Sequence, residues 1–429
     1  MDTDPLPLPS DAPAAGLDAG STSAAGEPRE VADLAAALRP AWVDVDLDAL
    51  EHNLRVVSAR VASSGARTMA VVKADAYGHG AVGVSRALET AGVDWLGVAL
   101  LEEGAEVRRA GVELPILVLG TARPAKIALY RRYRLTPTVS SLAELALWRD
   151  WTAGETEPQP IHLKVDTGMG RLGVAVAEVP QALAWVRGCP GLRLSGLLSH
   201  FAEADDLESP RNRLQEERFA EVLSLLTERE RAGALVHMAN SAAALHRAAS
   251  RYDLVRLGLA VYGLDPAVER DRPRSAAFPP ELRPVMSVRA RIVQLREVPP
   301  GTPVSYGGRT VTRRHSRIAV LPVGYADGYG WRLTGKAEAL VGGCRVPVAG
   351  SVTMDMTLLD VTDTGAELGD EAVLLGAQGG QEITALELAE HAGTISWEIL
   401  CHLGLRLPRR YLRAGRVEEL VSRFSREVA

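Results

Sequence analysis

The sequence predicts an α/β protein built as a (β/α)8 barrel of the TIM type with an antiparallel β domain at its C-terminal end. Two observations predict it. From about residue 41 to 275, short apolar runs alternate with longer amphipathic stretches, the pattern of repeated βα units around a parallel sheet. Past the Pro- and Arg-rich stretch at 272–284, the pattern changes to brief β-branched runs bounded by Gly and Pro. With 429 residues, 47% of them hydrophobic and 24% charged, the chain has apolar material for about two or three globular domains.

Taken in order, residues 1–38 are rich in Ala, Gly, Pro, Asp and Ser and read as a disordered leader, because they cannot bury enough surface to offset chain entropy. Residues 39–278 hold eight strand-like runs: Trp42 to Leu47, Thr68 to Lys73, Trp95 to Leu100, Ile116 to Gly120, Ile161 to Asp166, Leu192 to Ser199, Ala234 to Met238 and Leu254 to Leu257. Helices are expected between them at 79–91, 101–110, 141–151, 176–187 and 210–232, the last with Phe219, Val222, Leu223 and Leu226 on one face. Residues 279–429 form the β domain, with runs at Ser287 to Leu295, Ser316 to Pro322, Ala337 to Leu340, Arg345 to Ala349, Met356 to Val361 and Glu371 to Leu375, then a helix near 383–392.

Composition excludes several classes of function. The formal charge of −6 comes without a basic stripe, so no nucleic-acid partner is expected. No apolar run approaches the roughly 18 residues that span a bilayer, and no secretory signal opens the chain, so a cytoplasmic protein without a membrane partner is expected. Cys189, Cys344 and Cys401 have neither CxxC nor His spacing, which suggests neither a disulfide framework nor a metal site. Lysine is scarce: of 48 basic residues only Lys73, Lys126, Lys164 and Lys336 are lysines. Arginine serves wherever a solvated charge suffices, but an amine that must lose its proton and attack a carbonyl has to be lysine.

Several motifs carry chemistry. In AVVKADAYGHG (70–80), an apolar strand ends at Lys73 and is followed by Tyr77 and a Gly-rich turn. Barrel strands point their C-terminal ends into the site, where a desolvated lysine can form a Schiff base and Tyr77 can hydrogen-bond a phosphate, although a strand-end lysine can also simply snorkel to solvent. HLKVDTGMGRLG (162–173) brings Lys164 and a turn in which Arg171 can bind a carboxylate or phenolic oxygen; Lys164 is equally open to pairing with Asp166. GLLSHFAEAD (196–205) supplies His200, which could be purely structural, and Asp205. In HMANSAA (237–243), Asn240 and Ser241 can cap a helix whose N-terminus attracts an anion. VRLGLAVYG (255–263) embeds Arg256 in an apolar strand beside Gly258 and Leu259, so its charge needs either a structural ion pair or a ligand's ring nitrogen. VSYGG (304–308) and GSVTMDM (350–356) lie in the β domain and contribute Tyr306, Ser351, Met354 and Asp355.

In this order and spacing, together with GYADG (324–328) and its Tyr325, these motifs resemble the bacterial alanine racemase family over about residues 40–412. The resemblance implies a barrel that binds pyridoxal 5'-phosphate and a homodimer whose active sites take residues from both chains. It implies that Lys73 forms the Schiff base and is the base for one enantiomer, while Tyr306 from the second chain acts on the opposite face. Tyr77, Ser241 and the backbone at Gly258 and Leu259 would hold the phosphate, with His200, Asn240 and Trp397 also at the cofactor. Arg256 would face the pyridine nitrogen, and His200 would link Arg256 to Tyr306, whose phenol, ionising near 10 when unperturbed, needs such help. Arg171 and Met354 would hold the substrate carboxylate, and a carbamylated Lys164 would hold Arg171. Asp205, Tyr325, Ser351 and Asp355 would line the entrance.

The sequence departs from the family pattern at Trp397, where a tyrosine is usual, at Ser351, where many members carry an arginine, and at Thr353, in place of cysteine or serine. The implied activity is interconversion of L- and D-alanine to supply cell-wall peptidoglycan. The altered entrance leaves open a racemase of serine or another small amino acid, and a non-catalytic pyridoxal-phosphate-binding protein is the alternative that Tyr306 argues against.

Overall fold

The computed structural model of the chain describes residues 38–122, 127–154, 157–264, 266 and 282–424. The leader expected at 1–38 lies outside these residues except for its last position, as do Lys126 and the 278/279 boundary expected between the two domains.

In chain order the first strands are β1 (Ala41–Asp46), β2 (Arg67–Val71), β3 (Trp95–Val98), β4 (Ile116–Val118), β5 (Leu135–Val139), β6 (Gln159–Asp166), β7 (Val174–Ala175), β8 (Leu192–Leu198), β9 (Leu235–His237) and β10 (Leu254–Leu257). Eight of them form a parallel sheet in the order β10-β2-β3-β4-β5-β6-β8-β9, and β7 adds to β6. Asp253 N donates to Val236 O and Arg256 N to Ala239 O, both at 2.9 Å, so β9 and β10 close the circle. These strands are buried on both faces, which is why they read as continuous apolar runs.

The count of eight agrees with expectation, but two strands have exchanged roles. The run beginning at Trp42 is not a barrel strand: β1 pairs antiparallel with β11 (Met286–Arg291) and parallel with β21 (Arg409–Arg413) in the sheet of the C-terminal half. Its alternation of Val43 and Val45 with Asp44 suits a two-faced sheet, where Asp44 accepts from Arg410 Nε at 2.6 Å and pairs with Arg289 at 3.2 Å. The missing barrel strand is β5, whose Pro137 disguises it, since proline is rare in central strands; Pro137 sits opposite Val118. The helix expected over 210–232 is two helices, Pro210–Leu223 and Glu228–Gly233. Thr227 starts the second, accepting from Glu230 N while Glu230 accepts from Thr227 N at 2.8 Å, a capping box.

The remaining strands are β12 (Gln294–Val298), β13 (Pro303–Val304), β14 (Thr310–Val311), β15 (Ser316–Leu321), β16 (Glu338–Val341), β17 (Cys344–Pro347), β18 (Thr357–Asp360), β19 (Glu371–Gln378), β20 (Gln381–Ile383) and β22 (Arg416–Val421). The principal sheet runs β17-β16-β19-β11-β1-β21-β22, while β12-β15-β18 form a second sheet and β13-β14 a hairpin. The run from Ser287 to Leu295 therefore splits between two sheets. Helices Ala385–Ala392 and Ser396–His402 follow, the second not expected from the sequence.

The two halves meet at the turn after β2. Arg409, on β21, donates to Gly78 O at 3.0 Å, and Tyr411 donates to His79 O at 3.2 Å. The Tyr411 ring fills space beside Gly83, where an added Cβ would lie 2.3 Å from the ring. The segment carrying Lys73 is thus clamped between barrel and β domain. Among the described residues no helix is long and apolar enough to cross a membrane, and no cluster of His, Cys, Asp and Glu suits a metal ion.

Candidate active site

A cavity of about 520 Å³ opens at the C-terminal ends of the barrel strands, lined by Lys73, Tyr77, Lys164, Arg171, His200, Asn240, Ser241, Arg256, Gly258, Leu259 and Trp397 among others. Barrel geometry gathers them, because each motif sits where a strand ends. Lys73 follows β2 and opens a turn in which Ala74, Asp75, Ala76 and Tyr77 all have φ of 53–54°. Left-handed residues with a Cβ cost about 1–2 kcal/mol each, so the surroundings must hold this turn. Glu103 does much of that: its carboxylate accepts from Ala74 N and Ala99 N, both at 2.7 Å, and from Leu100 N at 3.0 Å. Gly78 lets the turn approach the helix Ser396–His402, since a Cβ there would lie 2.2 Å from Leu400 O. Burial, and then the nearby Arg171 cation, lower the Lys73 pKa and favour the neutral amine that attacks a carbonyl.

At one side of Lys73 lies an anion cradle. Tyr77 Oη, Ser241 Oγ and the Gly258 backbone converge so closely that a Cβ on Gly258 would be 2.9 Å from Tyr77 Oη and 3.9 Å from Ser241 Oγ. Burial raises the Tyr77 pKa, leaving its phenol a donor. Both Asn240 and Ser241 are possible caps by sequence, and the structure separates them. Asn240 caps the helix Ser241–His246 by accepting from Ala243 N at 3.1 Å, whereas Ser241 Oγ accepts from Gly258 N at 2.9 Å.

Across the cavity floor Arg256 is buried, and among the described residues it has no carboxylate partner, so the ion pair open at the sequence level is not formed there. Its Nη2 shares two hydrogens among Ser199 O at 2.8 Å, Met238 O at 3.0 Å and His200 Nδ1 at 2.9 Å, and Nη1 donates to His237 Nδ1 at 3.0 Å. Burial lowers the Arg256 pKa to about 10, which leaves the guanidinium charged at neutral pH. Among the described residues its Nε makes no hydrogen bond and Nη1, with two hydrogens, makes one, so guanidinium N–H groups remain for a ring nitrogen in the cavity. His200, held neutral by burial and by the Arg256 charge, accepts through Nδ1 and so carries its proton on Nε2.

Lys164 projects from β6, and its pKa is lowered to about 8, first by burial and then by Arg171. Asp166 forms no ion pair with it: the Asp166 carboxylate accepts instead from the backbone of Gly168 at 2.9 Å and of Met169 and Gly170 at 2.8 Å, shaping the turn that presents Arg171. Gly173 closes the turn at φ 136°, with Asp166 N only 2.4 Å from where a Cβ would be.

The other expected site residues lie apart. Tyr306, Tyr325, Ser351, Met354 and Asp355 line a separate concavity on the β domain that shares no residue with the Lys73 cavity. Tyr306 is 78% exposed. Ser351, expected at an entrance, is buried; its Oγ donates to Tyr306 O at 3.1 Å, and Ser305 Oγ donates to Ser351 O at 2.9 Å, so it holds the Tyr306 loop from beneath. Tyr325 N donates to Thr353 O at 2.9 Å, and Asp355 pairs with Arg406 at 2.7 Å. Asp205, on the loop after His200, lines neither concavity. Sequence reasoning missed Glu103, His162 and His237, and it gave Cys401, which lines the cavity, no place there. Period-two alternation along β6 would have put His162 on the same face as Lys164.

The cavity's features fit pyridoxal phosphate: an amine, an anion cradle and a guanidinium with free N–H groups. Comparisons with known proteins show the family. Residues 45–266 match the family model for the alanine racemase N-terminal domain and residues 285–411 that for the C-terminal domain. The chain is 41% identical over 374 residues to alanine racemase from Halothermothrix orenii, covering 87% of this chain and 97% of that protein. The fold is similar to alanine racemase from Bacillus anthracis with bound L-Ala-P, at TM-score 0.83 and 36% identity, covering 91% of this chain and 99% of that one. It is also similar to alanine racemase from Bartonella henselae with covalently bound pyridoxal phosphate, at TM-score 0.77 and 29% identity, covering 87% and 99%.

Proposed function

Because the chain belongs to the alanine racemase family, we propose that it is a pyridoxal-phosphate-dependent enzyme that interconverts L- and D-alanine, working as a homodimer. The observation that carries this reading is the meeting, in one cavity, of the Lys73 amine, the Tyr77–Ser241–Gly258 cradle and an Arg256 with no carboxylate partner among the described residues. Pyridoxal phosphate bound there supplies an electron sink for charge at the amino acid's Cα. Lys73 anchors the cofactor's aldehyde and moves a proton on its own face. Tyr77, Ser241 and the Gly258 and Leu259 backbone take the phosphate, with Asn240 and Trp397 beside them. Arg256 would offer a free N–H to the ring nitrogen without giving up its proton at accessible pH.

Racemisation needs a second base on the opposite face, or the proton returns to the side it left. Tyr306, exposed on the β domain, serves as that base in a neighbouring copy's cavity, with Met354 binding substrate carboxylate beside it. His200 Nε2–H then donates to the Tyr306 oxygen and favours its ionisation. Lys164, with a pKa of about 8, keeps a reactive neutral fraction near pH 7 that can add carbon dioxide; the resulting carbamate would orient Arg171 toward the substrate carboxylate. Tyr325 and Asp355 stand at the entrance. The D-alanine product would feed peptidoglycan synthesis from the cytoplasm.

The test is to load purified protein with pyridoxal phosphate and follow optical rotation with D-alanine, L-alanine, L-serine and L-lysine in separate cells. Decay of both alanine enantiomers to zero rotation is expected, fastest among the substrates. Faster turnover of serine would assign another substrate, and no change with any of them would refute a racemase.

A further inference from the structure

Behind Arg256, away from the cavity, two buried histidines continue its hydrogen bonding. His237 Nδ1 lies 3.0 Å from Arg256 Nη1, and His237 Nε2 lies 2.9 Å from His162 Nδ1. Both rings are fully buried. The direction of this chain is fixed at its Arg256 end. A guanidinium has only donors, so His237 Nδ1 must be bare and its proton must sit on Nε2. That N–H points at His162, whose Nδ1 must also be bare, which places the His162 proton on its own Nε2. Among the described residues that last atom is buried with no hydrogen-bond partner. Reversing the chain would turn His237 Nδ1–H against the guanidinium. Burial and the Arg256 charge keep His162 neutral, with its pKa lowered to about 3.

The fold makes deliberate room for this ring. Gly196, on the adjacent strand β8, has no Cβ, and one built there would lie 2.4 Å from His162 Nδ1 and 2.5 Å from Cγ and Cε1. Trp95 packs on another side with ring centroids 5.5 Å apart. A histidine buried with one nitrogen unpartnered, in space opened by a glycine, is a poor choice if the position only fills volume.

We propose that His162 is a positioning residue: by accepting the His237 N–H that the guanidinium dictates, it holds the His237 ring in place behind Arg256, and so fixes the direction in which Arg256 presents its free N–H groups to the cofactor ring. The functional part of this inference rests on the racemase reading given above; the tautomers themselves do not.

Two measurements test it. Neutron diffraction from hydrogen-exchanged crystals of the pyridoxal-phosphate-loaded protein at pH 7 should show deuterium on Nε2 and none on Nδ1 in both His162 and His237. Deuterium on Nδ1 of either ring overturns the proposal, whether or not the protein racemises alanine. In kinetics, His162→Leu, which removes the acceptor, should lower kcat by about tenfold or more with KM changed by less than about threefold, since it touches no substrate-binding group. His162→Asn, whose amide oxygen can stand at the Nδ1 position, should recover most of that loss. Equal kcat for His162→Leu and the parent, or equal impairment of the Leu and Asn variants, would contradict a hydrogen-bonding role. A parent protein without racemase activity would count against the functional reading while the neutron maps still decide the tautomers.

Discussion

Lys73, Gly258 and Tyr306 each make a distinct demand on the chemistry, and each can be removed singly. Lys73→Ala should eliminate the visible absorbance of protein-bound pyridoxal phosphate beyond that of the free cofactor; persistence of that band would place the amine elsewhere. Gly258→Ala would put a methyl group 2.9 Å from Tyr77 Oη in the cradle, so pyridoxal phosphate affinity should fall by about tenfold or more, read by fluorescence titration. Tyr306→Phe should slow proton removal from L-alanine much more than from D-alanine, seen as a larger loss of the solvent-deuterium exchange rate with the L substrate. The residues that touch ligand were legible because lysine is scarce and because Tyr, Ser and Gly stand at strand ends. Those that hold them were not: His162 and His237 meet across 75 positions, and Glu103 reaches Ala74 across 29. Ser351 illustrates the same limit, since its neighbours fix a loop and no local pattern says so.

Secondary structure was read best where burial alone sets the pattern, as in β4 and β10, and worst where one residue breaks it. Pro137 hides β5, and the apolar residues of β1 suggest a barrel strand although its alternating aspartates mark a strand with two different faces. The capping box at Thr227 was visible in the letters, yet the apolar face running through it favoured one long helix. The left-handed turn at 74–77 carries no glycine to announce it, so its geometry had to come from contacts. Those contacts set a prediction. Glu103→Ala leaves three backbone N–H groups without their acceptor, and each costs about 1–3 kcal/mol where water cannot replace it. Urea unfolding should show a loss of a few kcal/mol, with pyridoxal phosphate bound more weakly because Lys73 opens this turn. Unchanged stability and affinity would mean that packing against Leu400 and Arg409 suffices.

The whole molecule places neutral histidines and two clamped halves around one cavity, and both features have measurable consequences. Burial lowers the pKa of His79 to about 4 and of His162 to about 3, from 6.5. Between those values and 6.5 the unfolded chain binds protons that the folded protein does not, so stability falls as pH falls through this window. At pH 5 each of the two should cost about 2 kcal/mol relative to pH 8, and the urea midpoint should drop accordingly; a flat profile from pH 8 to 5 would show that these rings take up protons while folded.

The claim on which most depends is that Lys73 of one chain works with Tyr306 of another. Mixing Lys73→Ala and Tyr306→Phe proteins under conditions that exchange subunits tests it directly, because each hybrid dimer would contain one site with both residues intact. Random exchange should restore about a quarter of the parent alanine racemase activity, since half the dimers are hybrids and each has one of its two sites whole. A mixture no more active than the sum of the two variants measured separately would contradict a site shared between chains.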